Sequence, residues 1–167
     1  PAQTESARML RVNKDLSQAN IILGHGGVPR GHVDYYAIQV MNYILGGGGF
    51  SSRAMDSIRN ERGLAYSVYS LFAAEKSHGT FQFVMQTKNE SAPEAIRLAR
   101  EEIRRIRDEL VSEVELSDAK DYLTGSLLQG HIKHPSLLVD IGEFSYAIRV
   151  HAVRVAYIGA DATLGMK

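Results

Sequence analysis

Apolar residues recur along this chain in two rhythms, one alternating and one helical, and their succession predicts the elements. Between residues 33 and 45 the apolar positions Ala37, Val40, Met41 and Ile44 step by three, one and three, the spacing of a single helical face. Asp34 stands where a cap is expected, and Gly46 where a left-handed residue would end the helix. A shorter helix is predicted over about 51–60. Two strands follow: 64–72 is rich in Tyr, Val and Phe, and 79–87 alternates through F-Q-F-V-M-Q. Upstream, residues 7–24 carry two further strand-like stretches, M-L-R-V and A-N-I-I-L-G, divided by the turn-prone N-K-D. Ser91, Ala92, Pro93 and Glu94 have the form of a capping box with proline in the first turn. Behind them Ile96, Ala99, Ile103, Ile106 and Leu110 form a stripe at alternating steps of three and four. A second box, Ser112 to Glu115, opens a helix reaching about residue 128. The order ββααββαα predicts an α+β fold, a two-layer sandwich whose antiparallel sheet carries helices packed on one face.

Composition places this pattern in one globular unit over 1–167. The 167 residues are 44% hydrophobic and 23% charged, enough for a real core, and the formal net charge is +0. A neutral chain has no global field to draw it to nucleic acid or to an anionic membrane, so neither is expected as a partner. Arg97, Arg100, Arg104 and Arg105 lie along one helix face, but Glu101 and Asp108 interleave with them and Glu101 and Arg105 stand at pairing distance; the stripe reads as a solvated face. There is no cysteine, hence no disulfide framework and no thiolate site, and the redox compartment stays open. No apolar run approaches the roughly 20 residues that span a bilayer. The opening P-A-Q-T-E-S-A-R lacks the apolar core of a signal peptide, and a chain starting at Pro1 without Met reads as an internal piece.

Candidate chemistry is sparse. Gly46, Gly47, Gly48 and Gly49 form a run closed by Phe50, but no lysine follows as a phosphate loop requires. The G-H-G-G-V-P at 24–29 has proline where a dinucleotide fingerprint needs its last glycine. A helix stop and tight turn explain one or two of the four glycines; the remainder suggest a loop whose free amides meet a partner chain, and the two readings stand level. Of six histidines, His131 and His134 are spaced i, i+3 in H-I-K-H, with Pro135 directly behind and the nearest carboxylates, Asp140 and Glu143, beyond it. That is the form of a polar helix end rather than a zinc site. Neither H-E-x-x-H nor H-x-x-E-H occurs, and no G-x-S-x-G element is present.

The stretch R-N-E-R-G-L-A-Y-S-V-Y at 59–69, directly behind L-G-G-G-G-F-S-S-R at 45–53, carries more information than any other. With D-Y-Y-A-I-Q-V-M-N-Y-I before it, and F-V-M-Q-T-K-N-E and E-V-E-L-S-D-A-K-D-Y-L-T-G-S after it, this block resembles the second, non-zinc domain of the insulinase/pitrilysin zinc peptidases. The match runs in order over 18–127, about two thirds of the chain.

That resemblance implies a domain facing a zinc-bearing one as a clam around an unfolded peptide, with an arginine and, seven residues on, a tyrosine reaching the substrate. The positions fall on Arg59 and Tyr66. A tyrosine hydroxyl is a fixed neutral donor suited to a developing oxyanion, and an arginine offers planar donors to peptide carbonyls. On spacing alone the pair reads instead as a core strand residue and a surface charge, and Arg62 and Tyr69 are near-duplicates that break the spacing. The resemblance further implies that Gly46, Gly47, Gly48, Gly49 and Phe50 contact substrate, and that extended peptide pairs with a sheet edge. It implies zinc in the partner domain and none in this chain, the partner lying on the same polypeptide or on a separate subunit. The bacterial cytoplasm or periplasm is the expected compartment. Without H-x-x-E-H no activity is expected of this chain alone. A proteolytically silent structural relative, like the core subunits of the respiratory bc1 complex, is the alternative; retention of Arg59 and Tyr66 speaks for the peptidase. Residues 131–167 fit the family pattern poorly, as a divergent, truncated or frame-shifted end would, and missing last elements would leave apolar surface that favours self-association.

Overall fold

The computed structural model describes residues 9–13 and 15–131, with side chains as far as 126. Three strands form one antiparallel sheet: β1 (Gln18–Gly27), β2 (Ala65–Ala74) and β3 (Gly79–Lys88). β3 lies in the centre, in the order β1-β3-β2. Ile22 stands opposite Val84 and Leu23 opposite Phe83, while Tyr69 and Ser70 face the same two residues from the other side. β2 and β3 form a hairpin, whereas β1 reaches the far edge through the helical segment of 35–60.

The alternation of β2 and β3 sorts the side chains. Val68, Ser70 and Phe72 with Phe81, Phe83, Met85 and Thr87 are buried, and Tyr69, Leu71, Thr80 and Lys88 are exposed on the other face. Against the buried face pack α1 (Tyr35–Asn42) and α2 (Ala92–Asp108), while α3 (Glu113–His131) packs against α1. Phe83, Leu45, Ile58, Met85, Val40 and Val68 are the largest fully enclosed side chains. The expected α+β fold is the observed one, a sheet with helices on one face.

Several local expectations are corrected. M-L-R-V at 9–12 is not a strand: it has no sheet partner among the described residues, and Met9 is 87% exposed, so among the described residues one strand rather than two precedes the first helix. Asp34 makes no side-chain cap bond; its own N–H donates to Nδ1 of His32 at 3.2 Å. Ser91 adopts helical angles and caps nothing, because Glu94 is drawn to Arg97 instead. Glu101 likewise pairs with Arg97, while Arg105 holds Glu102 and Glu109. The buried face of α2 is Ala95, Leu98, Ala99, Glu102 and Ile106. Small residues let this helix approach the sheet, which leaves Ile96 and Ile103 at the border of the core and Leu110 exposed beyond the last turn.

The second capping box forms as expected. The Glu115 N–H donates to the Ser112 hydroxyl at 3.2 Å, and a Glu115 carboxylate oxygen accepts from the Ser112 N–H at 2.9 Å. The same carboxylate takes a bidentate pair from Arg53, whose side chain is 12% exposed, at 2.5 and 2.9 Å. Arg53 follows the glycine run, so this pair ties the run to the start of α3.

Hydrogen bonding from Arg53, reinforced by the Ser112 donors, outweighs desolvation and holds the Glu115 carboxyl down from 4.5 to about 2. A depressed folded-state value stabilises the fold fully above 4.5, and that stabilisation is lost as pH falls towards 2. Chemical denaturation of wild type against Glu115→Gln is expected to show a gap of about 1–2 kcal/mol at neutral pH, water screening the exposed edge of the pair. The gap should close across that acid window; a gap unchanged at pH of about 2.5 would assign the effect to packing.

Candidate functional site

The glycine run is built by close approach. α1 continues into a π-helical turn, Tyr43–Gly47, whose end is marked by the Gly48 N–H donating to the Tyr43 carbonyl at 2.8 Å. A Cβ on Gly46 would lie 2.5 Å from the Ser70 nitrogen of β2, one on Gly47 2.7 Å from Nδ2 of Asn42, and one on Gly48 2.8 Å from the Tyr43 carbonyl. Gly49 has open space but a φ of +60°, a left-handed turn. Gly46 is therefore not the left-handed helix end that was expected; it is buried inside the π turn, and Gly49 turns the chain. Each of the four glycines has its own steric or conformational reason.

Beneath the run, Asn42 and Ser70 link α1 to β2 reciprocally. The Ser70 hydroxyl donates to the Asn42 carbonyl at 3.2 Å, and the Asn42 amide donates to the Ser70 carbonyl at 3.5 Å. Above it, the Gly49 carbonyl accepts from the Ser52 hydroxyl at 2.7 Å and from the Ser52 N–H at 3.2 Å, which fixes the turn that presents Phe50.

Arg59 lies near the end of a short π-helical segment, Met55–Asn60. Its guanidinium carbon stands 5.8 Å from the centroid of the Phe50 ring, and Nη1 donates to the Met55 sulfur at 3.6 Å. Phe50 itself is 77% exposed. From Arg59 the chain turns tightly: the Gly63 N–H donates to the Arg59 carbonyl at 2.9 Å, the Leu64 N–H to the Ile58 carbonyl at 3.0 Å, and Gly63 has a φ of +63°. The buried Thr87 hydroxyl closes on the Leu64 carbonyl at 2.5 Å, anchoring the turn to β3.

Tyr66 follows immediately, at a β-bulge. Ala65 pairs with Thr87 and Ser67 with Gln86, so Tyr66 is the extra residue between them. Bulges interrupt a ladder and re-aim a side chain. Tyr66 is 48% exposed and lines a shallow depression of about 340 Å³ with Ser17, Lys88, Asn89 and Glu90. It is thus no core residue, as spacing alone had suggested. Arg59 and Tyr66 flank one rigid turn but share no hydrogen bond among the described residues; Arg59 is in contact with Phe50 and Met55. The bulge, Met55 and Thr87 escaped the sequence reading. Met55 stands four residues before Arg59, a helical-neighbour spacing that could have found it; nothing in the sequence marks the bulge.

Among the described residues, no group of three or more His, Cys, Asp or Glu is placed to hold a metal ion. His134 and residues 132–167 lie outside the described residues, as does the side chain of His131. No described helix is long and apolar enough to cross a membrane.

A family model described as the peptidase M16 inactive domain matches residues 1–123, and the chain belongs to that family. An uncharacterized zinc protease of Streptomyces coelicolor is 30% identical over 138 residues, 83% of this chain and 30% of that protein. A non-peptidase homolog of Helicobacter pylori is 36% identical over 88 residues, 53% of this chain and 20% of that protein. The crystal structure of a peptidase M16 inactive domain from Pseudomonas fluorescens superposes with a TM-score of 0.64 at 31% identity, covering 86% of this chain and 32% of that one. The chain thus spans under a third of the length of each of these proteins.

Gly46→Ala is expected to be the most damaging single change in the run, because the added carbon meets backbone of β2 that has no room to yield. Gly63→Ala meets no atom and should cost only the left-handed conformation, about 1–2 kcal/mol. Equilibrium unfolding of the two variants checks the order; equal losses would mean that the approach to Ser70 relaxes freely.

Proposed function

We propose that this domain completes the peptide cleft of a zinc metalloendopeptidase whose metal and general base reside on a partner domain. The observation that carries this reading is the placement of Tyr66, an exposed phenol on a bulge, held by a pinned turn next to the segment that bears Arg59. A hydroxyl carried on so anchored a backbone, and outside the core, is suited to donate to the oxyanion that forms when zinc-bound water attacks a peptide carbonyl. Arg59 would hold neighbouring carbonyls of an extended peptide. In the glycine run, Gly47, Gly49 and Phe50 are exposed, and the two glycines would meet the substrate, whereas Gly46 is enclosed behind Ser70. Zinc would be supplied entirely by the partner.

The second reading, a proteolytically silent interaction domain, is favoured by the Helicobacter pylori relative, whose name is that of a non-peptidase homolog.

Mixing the chain with a zinc-bearing half from an M16 peptidase, and following peptide hydrolysis, separates the two. Activity that appears only on mixing, with Tyr66→Phe lowering turnover by about 2–4 kcal/mol of transition-state stabilisation while peptide binding is retained, is the expected result. Association without hydrolysis would favour the interaction domain, and an unchanged rate in Tyr66→Phe would remove the oxyanion role.

A further inference from the structure

Arg59 is held in an unusual way for a buried-edge arginine. Its recorded partners are an aromatic ring and a thioether: the Phe50 ring at 5.8 Å and the Met55 sulfur at 3.6 Å. Arg53, six positions earlier, is neutralised by the two oxygens of Glu115, and Arg97 by Glu94 and Glu101. Arg59 makes no such ion pair among the described residues. The difference matters chemically. A carboxylate would occupy the fork of guanidinium donors, whereas a ring face orients the cation through its quadrupole and accepts none of the in-plane N–H groups. Phe50 is also not where burial would put a phenylalanine, since most of its surface is exposed. It is presented by the left-handed Gly49, whose carbonyl is locked twice by Ser52.

We propose that Phe50 is a positioning residue for Arg59: its ring fixes the guanidinium while leaving the donors not turned to Met55 free for the peptide backbone. This inference rests on the peptide-cleft reading above. It also gives the end of the glycine run a purpose, since the run seats on β2 through Gly46 and ends by delivering one aromatic ring to one cation. Met55 contributes the second contact from the preceding turn of the same segment.

Two measurements test it. In the isolated chain, the Arg59 Nε–H resonance should carry a ring-current shift that Phe50→Tyr preserves and Phe50→Leu removes. An Arg59 resonance unchanged in Phe50→Leu overturns the proposal whatever the chain's activity. In the mixture with a zinc-bearing half, Phe50→Leu should lower kcat/KM about 2- to 5-fold, the range of one exposed cation–π contact, and Phe50→Tyr should restore it. In an Arg59→Ala background the Phe50→Leu change should add nothing. A loss that persists there would make Phe50 a direct substrate contact and overturn the positioning role. Wild-type chain that stays inactive on mixing, yet shows the resonance shift, would sink the peptide-cleft reading and leave the ring–cation contact standing.

Discussion

The approach of Gly46 to Ser70 is the contact on which the rest of this domain depends. No side chain fits between them, so the backbone after α1 settles directly on β2. That contact forces α1 to widen into a π turn, brings Asn42 and Ser70 into their reciprocal bonds, and sets the height at which Gly49 turns and Phe50 emerges. The segment 55–60 then starts from a fixed point and packs Ile58 into the core, with Arg59 at its edge.

Two polar anchors hold the ends of this assembly. Arg53 and Glu115 fasten the outgoing end of the glycine run to the first turn of α3, and Thr87 fastens the turn before Tyr66 to the central strand. Both are charge-assisted or buried bonds, which contribute more than exposed ones because little water competes for their partners. The segment from Arg53 to Leu64 is therefore anchored near each end.

How much of this was legible differs from element to element. β3 announced itself by alternation, β2 by its aromatic and β-branched content, and α2 by three-four spacing. The box at Ser112 was legible because both of its partners lie within one turn. The box at Ser91 was not, because Arg97 competes for Glu94 and the sequence does not say which pairing wins. M-L-R-V at 9–12 has the composition of a strand but lacks a sheet partner among the described residues, and a strand is a property of a pair. On α2 the inward face turned out to hold Ala95, Leu98, Ala99, Glu102 and Ile106, a stripe rotated from the expected one so that Ile96 and Ile103 border the core.

By itself the sequence determined the fold class, the family and the spacing of Arg59 and Tyr66, all of which are local patterns or ordered motifs that the chain carries along its length. Only the tertiary structure decided why four glycines are needed, that Tyr66 sits on a bulge outside the core, and that Phe50 and Met55 hold Arg59. The seating of Gly46 on Ser70 and the bulge at Tyr66 depend on what β2 and β3 bring from tens of residues away, and steric exclusion between distant segments leaves no periodic mark on the residues that obey it.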